Sequence, residues 1–299
     1  MENYMSLNMK IDFALIIKVK NANPNGDPLN GNRPRINFEG YGEISDVCLK
    51  RKIRNRILAL KGNEEGFKIF VQSDDNNVDG ITTLEKRAED EEHGLGKRGF
   101  NDRNTAYENA CKKWYDVRAF GQVFAMKGKT NKSKKKNEDK SEENKSSSVS
   151  IGIRGPVTIQ PAFSVDPVNI TSTQITKSVS GSGDGKKKSS DTMGMKHRID
   201  DAVYVSFGSI SPQLAEKTGF SNDDADILKN AMLSMFEGDA SSARPEGSME
   251  ILKLIWWKHD SKLGKHSSAK VHQSLEVNSD GSFNIKDLSE LIPDILNGR

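Results

Sequence analysis

The chain has 299 residues, enough for one sizeable core with a substantial insertion. Hydrophobic residues make up 34% of it, and no apolar run approaches the roughly 20 residues of a membrane-spanning helix, which argues against an integral membrane protein. The N-terminus lacks a signal-peptide pattern, so a cytoplasmic location is expected. A net charge of +3 permits a nucleic-acid ligand without demanding one.

The two cysteines, Cys48 and Cys111, form no CxxC pair and have no histidine at metal-ligand spacing. Without a secretion signal, they are expected to be buried thiols instead of a disulfide or a zinc site. The sequence predicts no cofactor and no bound metal.

The N-terminal region predicts a strand, a loop and a second strand around one helix. Residues 10–20 are apolar and β-branched, which is typical of a strand. Residues 21–35 are rich in Asn, Gly and Pro and predict a loop. Residues 67–72 predict a short strand.

The helix between them is predicted over residues 47–60, with Ser45 or Asp46 as its N-cap and Gly62 as its stop. Its apolar stripe consists of Leu49, Ile53, Ile57 and Leu60.

The central region is charged. Helices are predicted over residues 84–92 and 103–114, and an extended segment over 149–165. Between them, residues 127–145 contain lysines and acids but almost nothing apolar, which predicts a flexible tract.

Residues 169–177 and 191–200 have some β character and flank the polar residues 178–190, a pattern that predicts a long hairpin with a mobile tip.

The C-terminal region predicts a strand over residues 203–210, a helix over 223–236 capped by Asn222 and a strand over 251–258. Residues 274–296 predict one more short strand and a helix. This order is compatible with an α+β chain built on a ferredoxin-like or RRM-type split βαβ core.

The first helix carries the most distinctive charge pattern, with six Lys or Arg and one acid between Asp46 and Lys61. Lys50 and Arg54 lie on one flank of the apolar stripe, and Lys52 and Arg56 on the other. Because acids do not alternate with these cations, we expect outward-facing, unpaired cations that hold phosphates. A solvated helix face is the alternative.

The loop at 21–35 offers backbone N–H groups, Asn23, Asn25, Arg33 and Arg35 as possible grips on a phosphodiester. A tight turn without a ligand is the alternative. Three weaker candidates for a phosphate contact, each an arginine close to a glycine, are Arg118 with Gln122, Arg154 and Arg244.

The predicted hairpin carries Met193 and Met195 beside Lys196 and Arg198, with Lys177 and a lysine triplet at 186–188 towards its tip. Methionines in a polar arm suit an apolar wedge that unstacks a base. Alternatively, they dock the arm onto the core.

The sequence gives little support for a catalytic function. Asp74 and Asp75 follow a predicted strand and could imitate a metal site, whereas Asp223 and Asp224 stand where a helix N-terminus favours carboxylates. The five histidines are scattered and form no recognisable catalytic spacing.

Several strings, in order along nearly the whole chain, resemble the repeated backbone subunit of the CRISPR Cascade effector of subtype I-C. They are KNANPNGDPLNGNRPR at 20–35, EISDVCLKRKIRNR at 43–56, IFVQSDD at 69–75, IRGPVTIQPAFSV at 153–165, SDTMGMKHRID at 190–200 and SSARPEGSMEILKLIWWKHD at 241–260.

This resemblance implies a non-catalytic protein with an RRM-like palm, a helical finger insertion and a protruding β-hairpin thumb. The implied boundaries are 1–72, 149–165 and 201–299 for the palm, 73–148 for the fingers with their Lys-rich loop, and 166–200 for the thumb.

The resemblance also implies that copies of the chain polymerise along one CRISPR RNA (crRNA) into a right-handed helical filament. The thumb displaces a base at regular intervals, and the remaining bases pair with target DNA. Implied partners are a crRNA-processing and capping subunit, a large subunit, a small subunit and a recruited nuclease-helicase.

Carried onto this sequence, Lys50 and Arg54 become guide-phosphate contacts, and Met193 or Met195 becomes the wedge. The complete set of predicted RNA-binding residues is Asn23, Asn25, Arg33, Arg35, Lys50, Arg51, Arg54, Arg118, Gln122, Arg154, Lys177, Met193, Met195, Lys196, Arg198 and Arg244.

Two alternatives remain open at this stage. One is a backbone subunit that cleaves target RNA with a metal, as in type III complexes, using Asp27 or the pair Asp74 and Asp75. The other is an RRM-like RNA-binding module that acts as a monomer.

Overall fold

A computed structural model describes residues 6–126, 149–176 and 193–299 of the chain. The strands are β1 (Ile11–Ala22), β2 (Gly26–Asp27), β3 (Arg33–Pro34), β4 (Tyr41–Ile44), β5 (Gly121–Met126), β6 (Val149–Arg154), β7 (Val157–Ile159), β8 (Ala162–Pro167), β9 (Ile170–Thr176), β10 (Met193–Ile210), β11 (Met249–Lys258), β12 (Leu275–Val277), β13 (Phe283–Ile285) and β14 (Asp294–Asn297). The helices are α1 (Asp46–Lys61), α2 (Leu84–Glu89), α3 (Arg103–Lys113), α4 (Tyr115–Phe120), α5 (Pro212–Thr218), α6 (Asn222–Leu233) and α7 (Ser268–Gln273).

A mixed α/β architecture is organised around one large antiparallel sheet. Its strands run in the order β14-β11-β1-β10-β8-β4, and β7 and β9 pair with other stretches of β10. Helix α1 lies in the chain between β1 and β8, and α6 lies between β10 and β11. Along this path the terminal strands are β14 and β4, and Gly42 of β4 forms a further isolated bridge with Ile36.

The central strand β1 is buried on both faces, which explains its nearly unbroken apolar sequence. Phe13, Leu15 and Ile17 point into the main core with α1 and α6, whereas Ala14 and Ile16 point into a second core on the opposite face. The predicted strand over 10–20 is confirmed and extends to Ala22.

Helix α1 follows its sequence signals closely. The N–H of Cys48 donates to the hydroxyl of Ser45 over 3.3 Å, and Gly62 ends the helix. The predicted stripe is fully buried at Leu49, Ile53 and Ile57, but Leu60 remains 43% exposed. The helix is thus confirmed, and its last apolar residue is free for another contact.

The strand predicted over residues 67–72 is wrong. The N–H groups of Phe70 and Val71 donate to the carboxylate of Asp116 over 2.7 and 3.1 Å, and backbone pairing is limited to one isolated bridge between Lys68 and Trp114. A side chain here replaces the neighbouring strand as the hydrogen-bond acceptor.

A separate apolar cluster gathers Phe70, Trp114, Phe124, Ile151 and further residues of α3 and α4. Strands β5 and β6 pair with each other beside it and, within the residues that the structure describes, form a two-stranded sheet separate from the large one. Helices α2 and α3 confirm the two helices predicted in this region, although α2 ends three residues earlier than expected. Helix α4 was not predicted.

The predicted hairpin is present as β9 paired with the first part of β10, from Met193 opposite Thr176 to Ile199 opposite Ile170. The strand predicted separately over 203–210 is the continuation of β10 into the large sheet. The predicted mobile tip at 178–190 and the lysine-rich tract at 127–145 lie outside the described residues.

Two details of the C-terminal region differ from expectation. Ser221, not Asn222, caps α6, because its hydroxyl accepts from the N–H of Asp224 while the Asp224 carboxylate accepts from the N–H of Ser221. In the described residues 274–296 the chain forms strands, and the neighbouring helix α7 lies before this stretch, so the tail helix was wrong.

A buried carboxylate ties β1 to the residue that follows β11. Oδ2 of Asp12 lies 2.8 Å from Nε2 of His259 and 3.1 Å from Nζ of Lys10. Burial raises the pKa of Asp12, but hydrogen bonds from His259, Ser268 and Lys10 lower this pKa more, so it falls below its ordinary value.

Both cysteines are free thiols, Cys111 buried and Cys48 half-buried. Burial raises the pKa of Cys111 to about 12, which keeps it protonated and unreactive. Across the described part of the chain, every helix is too short or too polar to span a membrane.

Candidate nucleic-acid interface

The loop at residues 21–35 folds into a small ribbon in which β2 pairs with β3. The amide of Asn23 donates to the carbonyl of Asn32 over 2.7 Å, and Gly31 and Asn32 adopt left-handed φ angles of 59° and 58°. Asn23 is only 3% exposed. Asn23 therefore shapes the loop from a buried position, and its contact with RNA stays a prediction.

Asn25 fixes the same loop to the start of α1. Its side-chain oxygen accepts from both the N–H and the hydroxyl of Ser45 over 2.9 Å, and its carbonyl accepts from the N–H of Arg35 over 3.0 Å. The amide oxygen of Asn25 is thus occupied, and the residue positions Arg35.

Arg33 connects the loop with the hairpin. Its Nη1 donates to Oγ of Ser172 on β9 over 3.1 Å, and that hydroxyl lies 2.8 Å from Nδ1 of His197 on β10. The loop and the hairpin, predicted from separate motifs, therefore meet at the base of the hairpin. Ser172 and His197 were missed, and an alternating polar strand gives no signal that would single them out.

Arg35 and Arg244 also retain donors for a ligand. Nη2 of Arg35 lies 3.6 Å from Oδ1 of Asp27, and its buried Nε has no hydrogen-bond partner among the described residues. Nε of Arg244 donates to Asp239 over 3.2 Å. Because a guanidinium carries several N–H groups, each arginine can still bind an anion.

The prediction that the cations of α1 are unpaired is wrong. The four flanking cations form ion pairs, namely Lys50 with Asp46, Lys52 with Asp239, Arg54 with Asp116 and Arg56 with Glu237. The side chains of Lys52 and Arg56 are also only 3% and 13% exposed, so their charged ends do not face outward. Apart from Asp46, the acids come from distant parts of the sequence.

Arg51 bonds to the segment over residues 67–72, and Arg54 bonds to Asp116, whose carboxylate accepts the N–H groups of that segment. Nη1 of Arg51 donates to the carbonyl of Val71 over 2.9 Å, and Nε of Arg54 donates to Asp116 over 2.9 Å. Burial and the nearby charge of Arg54 lower the pKa of Arg51. These arginines hold α1 against Val71 and against helix α4.

Arg118, which the sequence predicts as an RNA contact, is buried and bonded to other parts of the chain. Its Nε and Nη2 donate to the two carboxylate oxygens of Asp224 over 2.9 and 2.8 Å, and its Nη1 donates to the carbonyls of Gly66 and Cys111. The side chain is 9% exposed. Every charged atom of this guanidinium is therefore directed at the protein.

Arg154 and Gln122 lie on neighbouring strands, where Gly121 pairs with Arg154 and Gln122 with Ile153. Arg154 is exposed and forms no ion pair with any residue that the structure describes. This ribbon is distinct from the loop and the base of the hairpin.

The hairpin methionines face solvent. Met193 is 67% exposed and Met195 is 55% exposed, so the alternative that they dock the arm onto the core is wrong. Strand alternation places both on one face, and Lys196 and Arg198 on the other. Nε of Arg198 donates to Asp200 over 3.0 Å. Lys177 and the lysine triplet lie outside the described residues.

The suspected catalytic acids have local roles. Oδ1 of Asp27 accepts from the N–H of Leu29 over 3.2 Å and faces Arg35, while Asp74 and Asp75 begin an exposed 3-10 turn. Within the described ranges, no group of three or more His, Cys, Asp or Glu side chains could hold a metal ion. No observation favours the type III-like cleavage alternative.

Comparison with known families places the chain among the CRISPR-associated proteins. It belongs to the Cas7 family, whose model, described as "CRISPR-associated protein Cas7", matches residues 9–293. A "CRISPR-associated protein Cas7" from Haloferax volcanii is 24% identical over 290 residues, which cover 95% of this chain and 80% of that protein.

Two solved structures are similar over most of the chain. One, titled "CRISPR RNA-guided surveillance complex", is 15% identical with a TM-score of 0.46 and covers 91% of this chain and 77% of the other. The second, titled "CRISPR RNA-guided surveillance complex, pre-nicking", is 13% identical with a TM-score of 0.43 and covers 83% and 78% of the two chains.

Proposed function

We propose that this chain is a non-catalytic backbone subunit of a subtype I-C Cascade surveillance complex in antiviral defence. Several copies polymerise along one crRNA and hold its backbone, leaving the bases free to pair with target DNA. Membership of the Cas7 family supports this assignment. The subtype rests on the sequence strings quoted above.

The observation that carries the proposal is the exposed pair Met193 and Met195 on a hairpin whose base is bonded to the Arg-bearing loop. An apolar side chain can enter a base stack, and nearby cations can hold the phosphates on either side. Phosphate contacts of this kind position an RNA without reading its sequence.

The side chains assigned to guide phosphates are those that retain exposed or unused donors: Arg33, Arg35, Arg154, Lys196, Arg198 and Arg244. Lys50 and Arg54 join them only if a phosphate replaces the carboxylate of Asp46 or Asp116. Gln122 and Lys177 stay as proposed contacts. Asn23, Asn25, Arg51 and Arg118 instead build the frame that places the others.

The proposed palm is RRM-like (ferredoxin-like). Its support is the strand order β11-β1-β10-β8, with one helix before β8 and one before β11, which is the arrangement of a split βαβ unit. The proposed fingers occupy residues 73–148, and the thumb, 166–200, contains the β9–β10 hairpin. In a cytoplasmic complex, the further partners are the other Cascade subunits and a nuclease-helicase.

Changing both methionines to serine tests the wedge. With 2-aminopurine at successive guide positions, the wild-type protein should raise fluorescence wherever a base is unstacked, and M193S/M195S should abolish that rise. Loss of the contact should weaken RNA binding by about 1.5–3 kcal/mol, the range for fully burying one methionine side chain. The matched control is Ile175→Ser, because Ile175 is 48% exposed but lies opposite Gly194, on the other face of the hairpin. Equal signals from both variants would remove the methionines from the site.

A further inference from the structure

Three polar side chains form a line of hydrogen bonds across the base of the hairpin. Nη1 of Arg33 donates to Oγ of Ser172 over 3.1 Å, and Oγ of Ser172 lies 2.8 Å from Nδ1 of His197. Ser172 is exposed, whereas His197 is only 9% exposed. A cation and a buried ring therefore hold the hydroxyl of an exposed residue in place.

The direction of these hydrogen bonds follows from the arginine. A guanidinium can only donate, so Oγ of Ser172 accepts from Arg33. A hydroxyl that accepts from a cation becomes a stronger donor, because hydrogen bonds in a chain polarise one another. Ser172 thus donates its one proton to Nδ1 of His197, and among the described residues one lone pair of Oγ stays unused.

The unused lone pair of Ser172 determines which chemical group can bind there. It needs a donor, and phosphate oxygens only accept, so a phosphodiester can bond to Arg33 but not to this lone pair. In the sugar-phosphate backbone of RNA the 2′-hydroxyl is such a donor, and DNA lacks it. A ribose therefore gives Ser172 a partner, and a deoxyribose does not.

Strand pairing places this hydroxyl on the face of the hairpin that carries the methionines. Ser172 lies opposite His197, and His197 follows Met195 by two residues, so the three side chains share one face. Met195 and His197 are about 7 Å apart along the strand. An RNA that Met195 contacts thus also passes Ser172, and the remaining N–H groups of Arg33 can bind the adjacent phosphate.

We propose that Ser172 accepts a hydrogen bond from a ribose 2′-hydroxyl of the guide and thereby makes the base of the hairpin selective for RNA over DNA. Arg33 binds the neighbouring phosphate, and His197 is a positioning residue that keeps the lone pair of Ser172 directed at the sugar. The inference rests on the proposed function, because it names the part of the guide that this site recognises. It adds recognition of the sugar to contacts that do not read the base sequence.

Single sugar substitutions in a short guide that holds one copy of the full-length chain test this contact by fluorescence anisotropy. A 2′-deoxy sugar is moved along the guide one nucleotide at a time. At the contact position it should weaken binding of the wild-type chain about two- to tenfold, which corresponds to one neutral hydrogen bond. A 2′-fluoro sugar should weaken binding equally, because fluorine cannot donate.

Ser172→Ala should show the same two- to tenfold loss with the all-ribose guide and no further loss with either modified sugar. Ser172 is exposed, so this variant should fold normally. The matched control is Thr173→Val, since Thr173 is exposed but lies opposite Lys196, on the other face of the hairpin. This control should keep the wild-type preference for ribose.

The role of His197 is tested by His197→Phe, which keeps a ring but removes the acceptor for the Ser172 hydroxyl. The ratio of the affinities for the ribose and 2′-deoxyribose guides should fall towards one. An unchanged ratio would reject the positioning role.

A wild-type chain that tolerates a 2′-deoxy sugar at every position overturns this inference and leaves the proposed guide-binding function standing. A Ser172→Ala variant that keeps the preference for ribose does the same. A 2′-fluoro sugar that binds like ribose also overturns the inference, because Ser172 would then be the donor. A wild-type chain that binds no RNA overturns both the inference and the proposed function.

Discussion

Replacing Arg118 by alanine is expected to destabilise the chain by about 3–5 kcal/mol, because it leaves the carboxylate of Asp224 buried without its partner. The change also removes donors from the carbonyls of Gly66 and Cys111. Arg118→Lys should recover only part of the loss, since lysine cannot make the two-pronged contact. Urea unfolding followed by circular dichroism measures the effect.

The control for Arg118→Ala is Arg154→Ala, because Arg154 was predicted from the same Arg-Gly pattern but is exposed. Its unfolding midpoint should stay at the wild-type value, while its RNA affinity falls. If Arg118→Ala folded with wild-type stability and lost only RNA binding, the structural role of this ion pair would be rejected.

The second large effect is expected in RNA binding. Changing Arg33, Lys196 and Arg198 to alanine together should weaken binding to RNA of any sequence. The slope of log affinity against log salt should become shallower by up to about 0.7 for each lost phosphate contact with a single strand. Filter binding across a salt series measures both quantities.

The comparison for this triple variant is Lys50→Ala, whose cation is already paired with Asp46 at 2.9 Å. The slope of log affinity against log salt should change less in Lys50→Ala than in the triple variant, both compared with the wild type. A steeper loss at Lys50 than at the three loop and hairpin positions would return the phosphate site to α1.

Local signals were sufficient for much of the fold. The apolar run of β1 and the stop of α1 at Gly62 involve residues close in sequence and were predicted correctly, and Ser45 was one of the two predicted caps of α1. The strand over 67–72 failed because Asp116, more than forty residues away, accepts its backbone N–H groups. An apolar pattern cannot reveal such a competitor.

The candidate site shows the same limit more clearly. A run of cations without neighbouring acids indicated free charge on α1, but Lys52 pairs with Asp239 and Arg54 with Asp116 across long sequence separations. Arg118 and Arg154 were predicted from the same Arg-Gly pattern, and only the folded structure shows that Arg118 is buried and Arg154 is exposed. The hairpin methionines were recognisable because two apolar residues in a polar strand stand out without knowledge of any partner.

The most direct test of a guide-RNA backbone subunit is the mass of its complexes on RNAs of increasing length. Mass photometry should show the number of bound copies rising in proportion to RNA length. The variant M193S/M195S should lose the unstacking of bases while the number of bound copies stays close to that of the wild type. A single copy bound to every RNA, whatever its length, would contradict a repeating backbone and favour a monomeric RNA-binding module.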